Sequence, residues 1–407
     1  MNDCLKVSAI LFAFALPAVA ADFPMERIHG KGRITNRVNI LVVGDGWTAA
    51  EIAAGKYKTA CEKLRDRLIA MKPFAEYKNL INITRVDVPS KESGCSHVLG
   101  NRNVDTYYGT RFSKETVNGK DQDDRGVWFR DWGKCTTALR DTNPRQPRNV
   151  TLVLINDATY GGAATFLGSA ASGIGTVTTH PDSGDVFVHE IGHALMNLAD
   201  EYDYGGRKAP ATEPVEANVT ITNDPKKVKW KHWIDAGVKG VGLVEGGQYA
   251  TKGVWRPRDN CLMKALNQEL CEVCLERTVQ RFFENVSLID EARSSLLPIL
   301  LKEGDATSMF VRTVAPEKAK LEEVWYLDGK PVGGTKADAV NGPEFRIDVK
   351  KEMLRVGIHF LRFSIQDKTP LTADWPATVK THAPSTKTWM ITVRPTLPRL
   401  PFLQPAE

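Results

Sequence analysis

The sequence lacks several features that would assign a protein class at once. Beyond residue 20 it has no apolar run long enough to cross a bilayer. A transmembrane segment is therefore not expected there. The sequence also has no tandem repeats and no long low-complexity tracts, so a repeat architecture is not expected.

Neither sign of charge predominates, and no phosphate-binding motif is present. The formal net charge is +5 over 407 residues, and no basic stripe alternates with aromatic residues. We therefore expect no nucleic-acid partner. Gly44-Asp45-Gly46 follows an apolar run but matches neither G-x-G-x-x-G nor the Walker pattern. It is typical of a turn between a strand and a helix.

The first twenty residues have the pattern of a secretory signal peptide. Lys6 precedes the apolar run from Val7 to Leu16, and Ala18-Val-Ala20 forms an A-x-A cleavage site. The run is too short to span a membrane. The pattern predicts a signal peptide over residues 1–20, cleavage after Ala20, and a secreted or periplasmic protein without a transmembrane segment.

Cysteine is scarce, but its number is even once the signal peptide is removed. The six remaining cysteines are Cys61, Cys95, Cys135, Cys261, Cys271 and Cys274. In an exported protein this number favours disulfides. We expect a bridge from Cys261 to Cys271 or Cys274, and a second between Cys95 and Cys135. Zinc binding by Cys271-x-x-Cys274 is the disfavoured alternative, since no second C-x-x-C accompanies it.

The most informative stretch runs from Val188 to Tyr202 and contains H-E-x-x-H. At about 100° per residue, the side chains of His189 and His193 lie roughly 40° apart on one helix face. Two imidazoles in this arrangement can bind one metal ion, and Glu190 lies close enough to act on a metal-bound water. The flanking residues are apolar, and burying such polar groups without a partner would be costly. The spacing predicts a zinc site.

A zinc ion with an open coordination position needs a third protein ligand. Asp200 would lie roughly 10 Å along a continuous helix from His193, too far to share the ion. The helix must therefore end near Met196-Asn197, because asparagine tolerates the left-handed conformation that turns the chain back. Asp200 is then the first candidate ligand and Glu201 the second.

The apolar pattern before this stretch predicts an α/β layer with a mostly parallel sheet. Strands are expected at residues 38–43, 80–88 and 150–155, and a helix opened by a capping box from Thr48 to about Met71. Residues 89–149 are polar and loop-rich. A possible edge strand at Thr176–Thr179 would bind an extended substrate by strand addition.

From about residue 300 the pattern changes to short alternating strands. Asp328-Gly329 is typical of a two-residue hairpin turn. Several such strands predict an immunoglobulin-like β-sandwich over residues 300–400. The expected organisation is a zinc peptidase domain over residues 21–290 followed by this sandwich. Oligomeric state is not predicted.

Motifs in a fixed order give the chain a family resemblance. They are Gly44-Asp-Gly46 with Thr48-Ala-Ala-Glu51, Pro89-Ser-Lys-Glu-Ser-Gly94, Tyr160-Gly-Gly162, H-E-x-G-H-x-x-x-x-L-x-D-E-Y from His189 to Tyr202, Arg256-Pro257, and Cys261-Leu-Met263 followed by Cys271-x-x-Cys274. Over about residues 36–285 the chain resembles the immunoglobulin A peptidase family of secreted zinc metallopeptidases, which is related to the metzincins.

The resemblance implies a zincin-like fold and endopeptidase activity on proteins or peptides. It implies one zinc per chain, bound by His189, His193 and Asp200, with Glu190 as the general base. Met263 would support the site from beneath without binding the ion. The sequence departs from the family at Met196-Asn197, where members often have glycine, which leaves Asp200 and Glu201 both open as the third ligand.

Further roles and two other functions remain open at this point. Tyr202 or Tyr204 could donate to the oxyanion. One alternative function is an inactive zincin scaffold that binds a partner, and another is a metal-dependent amidase for small substrates. The C-terminal domain is expected either to dock on the catalytic domain or to bind a protein or glycan surface.

Overall fold

The structure is a computed structural model that describes residues 23–117, 119–130, 149–168, 173–204, 206–294, 298–317, 320–337, 343–368 and 383–396. The predicted signal peptide with its cleavage site, and Cys135, lie outside these residues. Across the described ranges, no helix combines the length and the apolar character needed to cross a membrane.

The helices of the described residues are mostly short and lie in the first three-quarters of the chain. They are α1 (Ala49–Ala53), α2 (Lys56–Ala70), α3 (Phe74–Tyr77), α4 (Ser183–Ala194), α5 (Lys231–Asp235) and α6 (Glu272–Asn285). Single 3-10 turns lie at Ile34–Asn36, Lys78–Leu80, Leu99–Asn101 and Lys351–Met353.

Strands occur on both sides of α6. Those before it are β1 (Met25–His29), β2 (Val38–Asp45), β3 (Ile81–Val86), β4 (Ser96–His97), β5 (Thr110–Val117), β6 (Lys120–Phe129), β7 (Val150–Ile155), β8 (Gly162–Thr165), β9 (Gly173–Thr178), β10 (Val244–Gly247) and β11 (Ala250–Arg256). Those after it are β12 (Ile289–Ser294), β13 (Leu300–Lys302), β14 (Thr307–Thr313), β15 (Leu321–Leu327), β16 (Lys330–Val332), β17 (Thr335–Ala337), β18 (Glu344–Val349), β19 (Gly357–Asp367) and β20 (Ser385–Arg394).

A six-stranded mixed sheet forms the centre of the N-terminal part, in the order β1-β3-β2-β7-β9-β8. The pairs β3–β2, β2–β7 and β7–β9 are parallel, whereas β1 and β8 pair antiparallel at the two ends. Every residue of β2 and β7 is buried, as expected for parallel strands covered on both faces. The predicted strands at residues 38–43 and 150–155 are confirmed.

The helix predicted from Thr48 to Met71 is wrong as one element. Its capping box is present, since the amide of Glu51 donates to Thr48 Oγ1 over 3.3 Å and the amide of Thr48 donates to Glu51 Oε2 over 3.0 Å. The chain then breaks between α1 and α2 at Gly55, whose φ is +77°. Glycine adopts this left-handed conformation without a Cβ clash, so it separates two helices.

The predicted edge strand is also misplaced. The segment Thr176–Thr179 overlaps β9, which lies inside the sheet between β7 and β8. The edge is β8, whose sequence Gly-Ala-Ala-Thr has little strand propensity. The two paired strands approach closely, because a Cβ on Gly175 of β9 would lie 2.7 Å from the Cβ of its partner Ala164 on β8.

Residues 89–149 were expected to be loop-rich, but they contain the antiparallel hairpin β5–β6. Much of β6 is exposed and charged, so it lacks the alternation that marks a half-buried strand. The hairpin is bound to the central sheet, since Thr176 Oγ1 on β9 donates to Val127 O on β6 over 2.6 Å.

The turn Gly44-Asp45-Gly46 is structural, as predicted. Asp45 is fully buried and accepts hydrogen bonds from the amides of Tyr108 and Thr110, and from the hydroxyls of Thr106 and Thr110, over 2.6–3.1 Å. Its carboxylate therefore holds the segment that leads into β5.

The region after α6 is β-rich. It contains two sheets, in the orders β12-β14-β18-β17 and β13-β20-β19-β15-β16. Their buried side chains form one cluster that includes Trp325, Phe345 and Phe363. Asp328 and Gly329, with φ of 49° and 80°, form the predicted two-residue turn between β15 and β16. The immunoglobulin-like class of this region stays a prediction.

Contacts join this region to the N-terminal part. Arg37 and Asp290 form a largely buried ion pair of 2.8 Å, and the Tyr77 hydroxyl lies 2.8 Å from Asp367 Oδ2. Val314, which follows β14, belongs to the core of the N-terminal part. The two parts therefore pack against each other directly.

Candidate metal centre and catalytic cleft

Helix α4 carries the H-E-x-x-H residues into the interior. Nearly all of its residues are buried, including His189 and Glu190. It ends at Ala194, and Asn197 takes a left-handed φ of 54°. The amide of Leu198 then donates back to Gly192 O over 3.0 Å. The helix end predicted near Met196-Asn197 is confirmed, and the chain returns along the helix.

This return brings three side chains together. His189 Nε2 lies 3.0 Å from His193 Nε2, and Asp200 Oδ1 lies 3.1 Å from the first and 3.2 Å from the second. Zinc bonds of this type are about 2.0–2.1 Å, which puts tetrahedral ligand atoms roughly 3.3 Å apart. The three atoms form a triangle of nearly this size, so the residues present fit a zinc ion.

Backbone carbonyls orient both imidazoles. His189 Nδ1 lies 3.1 Å from Leu262 O, and His193 Nδ1 lies 2.7 Å from Leu198 O. A carbonyl can only accept, so each Nδ1 carries a proton and donates it. This arrangement aims both Nε2 atoms at the point shared with Asp200, in the orientation that metal-binding histidines adopt.

The electrostatics of the triangle favour a cation. Burial opposes the charge on Asp200, but hydrogen bonds from His189 and His193 outweigh it and hold the pKa of Asp200 well below its usual range. Burial would lower the pKa of His193, but its hydrogen bond to Asp200 dominates and raises that pKa to about 9. The carboxylate therefore stays ionised and attracts a positive charge between the imidazoles.

Glu201, the second candidate for the third ligand, points elsewhere. Its side chain is fully buried. Glu201 Oε1 accepts a hydrogen bond from Asn218 Nδ2 over 2.9 Å and lies 3.5 Å from Cys274 Sγ. The geometry therefore places Asp200, and not Glu201, beside the two histidines.

Glu190 lies next to the triangle with part of its carboxylate unused. Its Oε2 is buried and has no hydrogen-bond partner within the described residues. Burial raises the pKa of Glu190, which makes the carboxylate a stronger base. Gly162 on β8 leaves the space that Glu190 occupies, since a Cβ there would lie 2.9 Å from Glu190 Oε1.

Met263 packs beneath the site. A Cβ on Gly192, between the two histidines, would lie 2.7 Å from Met263 Sδ. Met263 is fully buried, and its carbonyl accepts from the amide of Glu201 over 2.8 Å. It thus fixes both the helix and the segment that carries Asp200.

Tyrosines surround the open side of the triangle. Tyr202 stacks on His189 with ring centroids 5.7 Å apart, and the hydroxyl of Tyr204 accepts from Arg125 Nη1 over 2.9 Å. Tyr249 was missed by sequence reasoning. Burial raises the pKa of Tyr249, and the charge of the nearby Asp200, with which it also forms a hydrogen bond, raises that pKa further. Nothing in the sequence links a tyrosine after Gly246-Gly247 to the H-E-x-x-H stretch.

The site opens into a cleft of about 1590 Å³. One wall is the edge strand β8 with Phe166, and another is formed by Arg125 and Trp128 from β6. The triangle, Glu190 and Tyr249 line the same cleft. The cleft lies beside all four residues of β8 and opens to solvent.

A comparison with known protein families matches the part of the chain that contains these site residues. The chain matches IgA Peptidase M64 over residues 27–239, just over half of its 407 residues. The chain belongs to this family. It is therefore a member of a peptidase family, and the match includes the triangle and Glu190. Met263, Cys261, Cys271 and Cys274 lie beyond the matched residues.

Other comparisons add little. No curated protein matches the chain. Among solved structures, the twitchin kinase region from C. elegans is 14% identical, with a TM-score of 0.14. That match covers 24% of this chain, which in turn spans 14% of the length of the twitchin chain. A likeness of this size carries no argument about fold or function.

The predicted disulfide from Cys261 is absent from the structure. Each of the five cysteines within the described ranges is a free thiol, namely Cys61, Cys95, Cys261, Cys271 and Cys274. Cys261 Sγ and Cys274 Sγ are 3.7 Å apart, well beyond the roughly 2.05 Å of a disulfide. The predicted Cys95–Cys135 bridge includes a residue outside the described part of the chain.

Proposed function

We propose that this M64 family member is a zinc-dependent endopeptidase. The observation that carries the proposal is the triangle of His189, His193 and Asp200. Beside it in the same cleft lies the Glu190 carboxylate, whose Oε2 has no hydrogen-bond partner among the described residues. Family membership indicates a peptidase. The two imidazoles and one carboxylate support zinc as the metal, with one ion per chain at this site.

The chain's own residues fix and activate the reactants. His189, His193 and Asp200 would hold Zn²⁺, which supplies a polarised scissile carbonyl and a water of lowered pKa. Glu190 accepts the proton of the attacking water at Oε2 and delivers it to the leaving nitrogen. Tyr202 and Tyr204 line the same cleft, and the hydroxyl of one of them would donate to the oxygen on which negative charge develops.

The edge strand β8 supports a peptide as the substrate. Its inner side pairs with β9, and its outer side lies along the cleft. An extended peptide can pair with the unpaired backbone groups of such an edge and pass beside Glu190. In this proposal Gly162–Thr165 binds the extended substrate by strand addition, the role that was expected for Thr176–Thr179.

Export and a binding role of the C-terminal region belong to the same proposal. Residues 1–20 would direct the chain to the periplasm or the medium, and residues 21–290 and 300–400 would form the peptidase and an immunoglobulin-like domain. On β19 and β20, Ile358, Phe360 and Met390 are each more than half exposed. That apolar surface supports contact with a protein or glycan partner.

The deciding experiment combines metal content with cleavage. We expect about one zinc at the His189 site, cleavage of a quenched peptide library, and loss of cleavage with a chelator. Glu190→Gln should retain this zinc and lose about 10²–10⁴-fold in kcat. Glu245→Gln, at an exposed carboxylate on β10, is the matched control and should cleave like the wild type.

Two outcomes would support the other functions. Zinc binding with no cleavage by the wild type would indicate a scaffold that binds a partner. Hydrolysis of small amides without cleavage of any peptide would indicate an amidase. Near-normal cleavage by Glu190→Gln would remove the assigned role of that residue.

A further inference from the structure

Four buried side chains converge a short distance behind the catalytic cleft. They are Glu201, Cys261, Cys271 and Cys274, and one ligand atom from each lies within 4.8 Å of all the others. None of the three cysteines lines the cleft. This group, here the cysteine cluster, is therefore separate from the triangle.

The fold brings these residues together from three segments. Glu201 follows Asp200, Cys261 lies two residues before Met263, and Cys271 and Cys274 lie at the start of α6. Sequence reasoning disfavoured zinc at Cys271-x-x-Cys274 because no second C-x-x-C is present. The structure supplies the two missing donors from Cys261 and Glu201. Cys261 lies 10 residues before Cys271, and Glu201 lies 73 residues before Cys274.

Glu201 provides an independent sign of a missing partner. Its side chain is fully buried, and its Oε2 accepts no hydrogen bond from any described residue. Within the same part of the chain it forms no ion pair, and its other oxygen contacts the side-chain amide of Asn218 and the thiol of Cys274. A buried carboxylate without a positive charge is costly. A divalent cation at the cluster would remove this cost.

The sulfur geometry distinguishes metal binding from a disulfide. With Zn–S bonds of about 2.3 Å, two thiolates of a tetrahedral site lie roughly 3.75 Å apart. The observed distance between Cys261 Sγ and Cys274 Sγ is 3.7 Å. The amide of Cys271 also points at Cys261 Sγ over 3.4 Å, as an amide does when it stabilises a thiolate.

We propose that the cysteine cluster binds a second, structural zinc ion through Cys261, Cys271, Cys274 and Glu201. The three thiols ionise on binding and release their protons to solvent. All four positions are then occupied by protein atoms, so this ion has no open position for catalysis. It ties the start of α6 to the segments that carry Asp200 and Met263, and thereby holds the third ligand of the catalytic site in place.

The test counts metals in the full-length protein, purified without chelator. We expect about two zinc ions per chain, and about one in Cys271→Ser. Cys61→Ser is the matched control, because Cys61 is an equally buried thiol outside the cluster, and it should keep both ions. His193→Ala should lose only the ion of the triangle.

Cobalt substitution identifies the ligands. Co²⁺ in the His193→Ala protein should show the near-ultraviolet absorption of thiolate-to-metal charge transfer, and Cys271→Ser should lose it. If Cys271→Ser does not fold, the nearly isosteric variant Glu201→Gln provides a second test of metal binding at the cluster. It should release the second zinc to a competing chelator at least tenfold more readily than the wild type.

Three results would overturn the proposal. One is an unchanged zinc count in Cys271→Ser. Another is wild-type zinc retention in Glu201→Gln. The third is a disulfide between two of the clustered cysteines, found by mass spectrometry of unreduced peptides, without thiolate-to-cobalt absorption in wild type. Because these readings concern the cysteine cluster alone, they are independent of whether the triangle supports peptide cleavage.

Discussion

At the residue scale, Asn197 determines which acid completes the triangle. If α4 continued, Asp200 would lie roughly 10 Å from His193 along the helix axis. The left-handed φ of 54° at Asn197 instead turns the chain back, and Asp200 meets both imidazoles. Asparagine is among the few non-glycine residues that adopt this conformation readily. It therefore performs the turn that brings Asp200 back to the helix.

We predict that Asn197→Gly retains zinc and cleavage, whereas Asn197→Val weakens both. A β-branched residue at positive φ costs on the order of 1–2 kcal/mol, and relaxing this strain would move Asp200. Chelator competition should therefore show roughly tenfold weaker zinc binding in Asn197→Val, with Asn197→Gly as its control. Equal zinc affinity of the two variants would mean that Asp200 is positioned by other contacts.

A second prediction at this scale concerns Gly162. A Cβ at this position would lie 2.5 Å from Val186 Cγ1 and 2.9 Å from Glu190 Oε1, so Gly162→Ala must displace the general base. We expect zinc content to be unchanged and kcat to fall at least tenfold. Gly242→Ala, where a Cβ would meet no atom within 4 Å, should cleave normally. Full activity of Gly162→Ala would show that Glu190 tolerates displacement.

At the element scale, strongly apolar strands were predictable and weakly patterned ones were not. The runs that became β2 and β7 are apolar on both faces, and every residue in them is buried. By contrast, β8 consists of small residues and β6 is largely charged. β8 is a strand through its pairing with β9, and β6 through its pairing with β5 and its contact with β9, and the pattern of neither segment indicates these contacts. Both of these missed strands line the cleft.

The triangle was predictable for a different reason. The spacing of His189 and His193 and the turn at Asn197 are local features, so Asp200 could be named as the first candidate ligand, with Glu201 as the second, before the fold was known. Tyr249 and the cysteine cluster depend on contacts between distant segments. For Cys261, the export signal favoured a disulfide, and only the folded chain shows a buried carboxylate at the same point.

The link between β6 and the central sheet should depend on pH through His97. Its Nδ1 lies 2.9 Å from Asp123 on β6, and its Nε2 lies 3.0 Å from Asp157, which follows β7. Arg102 also contacts Asp157, over 3.3 Å. Burial would lower the pKa of His97, but the two carboxylates outweigh it and raise that pKa.

A raised folded pKa sets the direction of the effect. The ion pairs stabilise the fold fully below the unfolded pKa of about 6.5, and their contribution is lost as pH rises through the higher folded value. We expect the Tm of His97→Gln to fall short of the wild-type Tm by more at about pH 6 than at about pH 9. A constant difference across this range would show that His97 is not protonated in the fold.

At the scale of the whole molecule, the peptidase part and the β-rich region share a buried ion pair. Arg37 precedes β2 and Asp290 lies on β12, and their side chains are 5% and 10% exposed. Asn36 Nδ2 also donates to Asp290 Oδ1 over 3.0 Å. Burial would raise the pKa of Asp290, but hydrogen bonds from Arg37 and Asn36 outweigh it and lower that pKa. The charge is therefore retained at the contact between the two parts.

We predict that Asp290→Asn lowers the free energy of unfolding by about 3 kcal/mol, because it leaves Arg37 buried without its partner. Asp348→Asn is the matched control, since its pair with Arg346 is about half exposed and should be worth less than about 1 kcal/mol. Urea unfolding of the two variants measures the difference. If the contact couples the two parts, the single unfolding transition should also become two in Asp290→Asn. The β-rich region and the peptidase part would then unfold at different urea concentrations. Equal stability of the two variants would instead mean that the parts fold without this contact, and that other contacts, such as the Tyr77–Asp367 hydrogen bond and the Lys78–Glu317 ion pair, hold the β-rich region to the peptidase part.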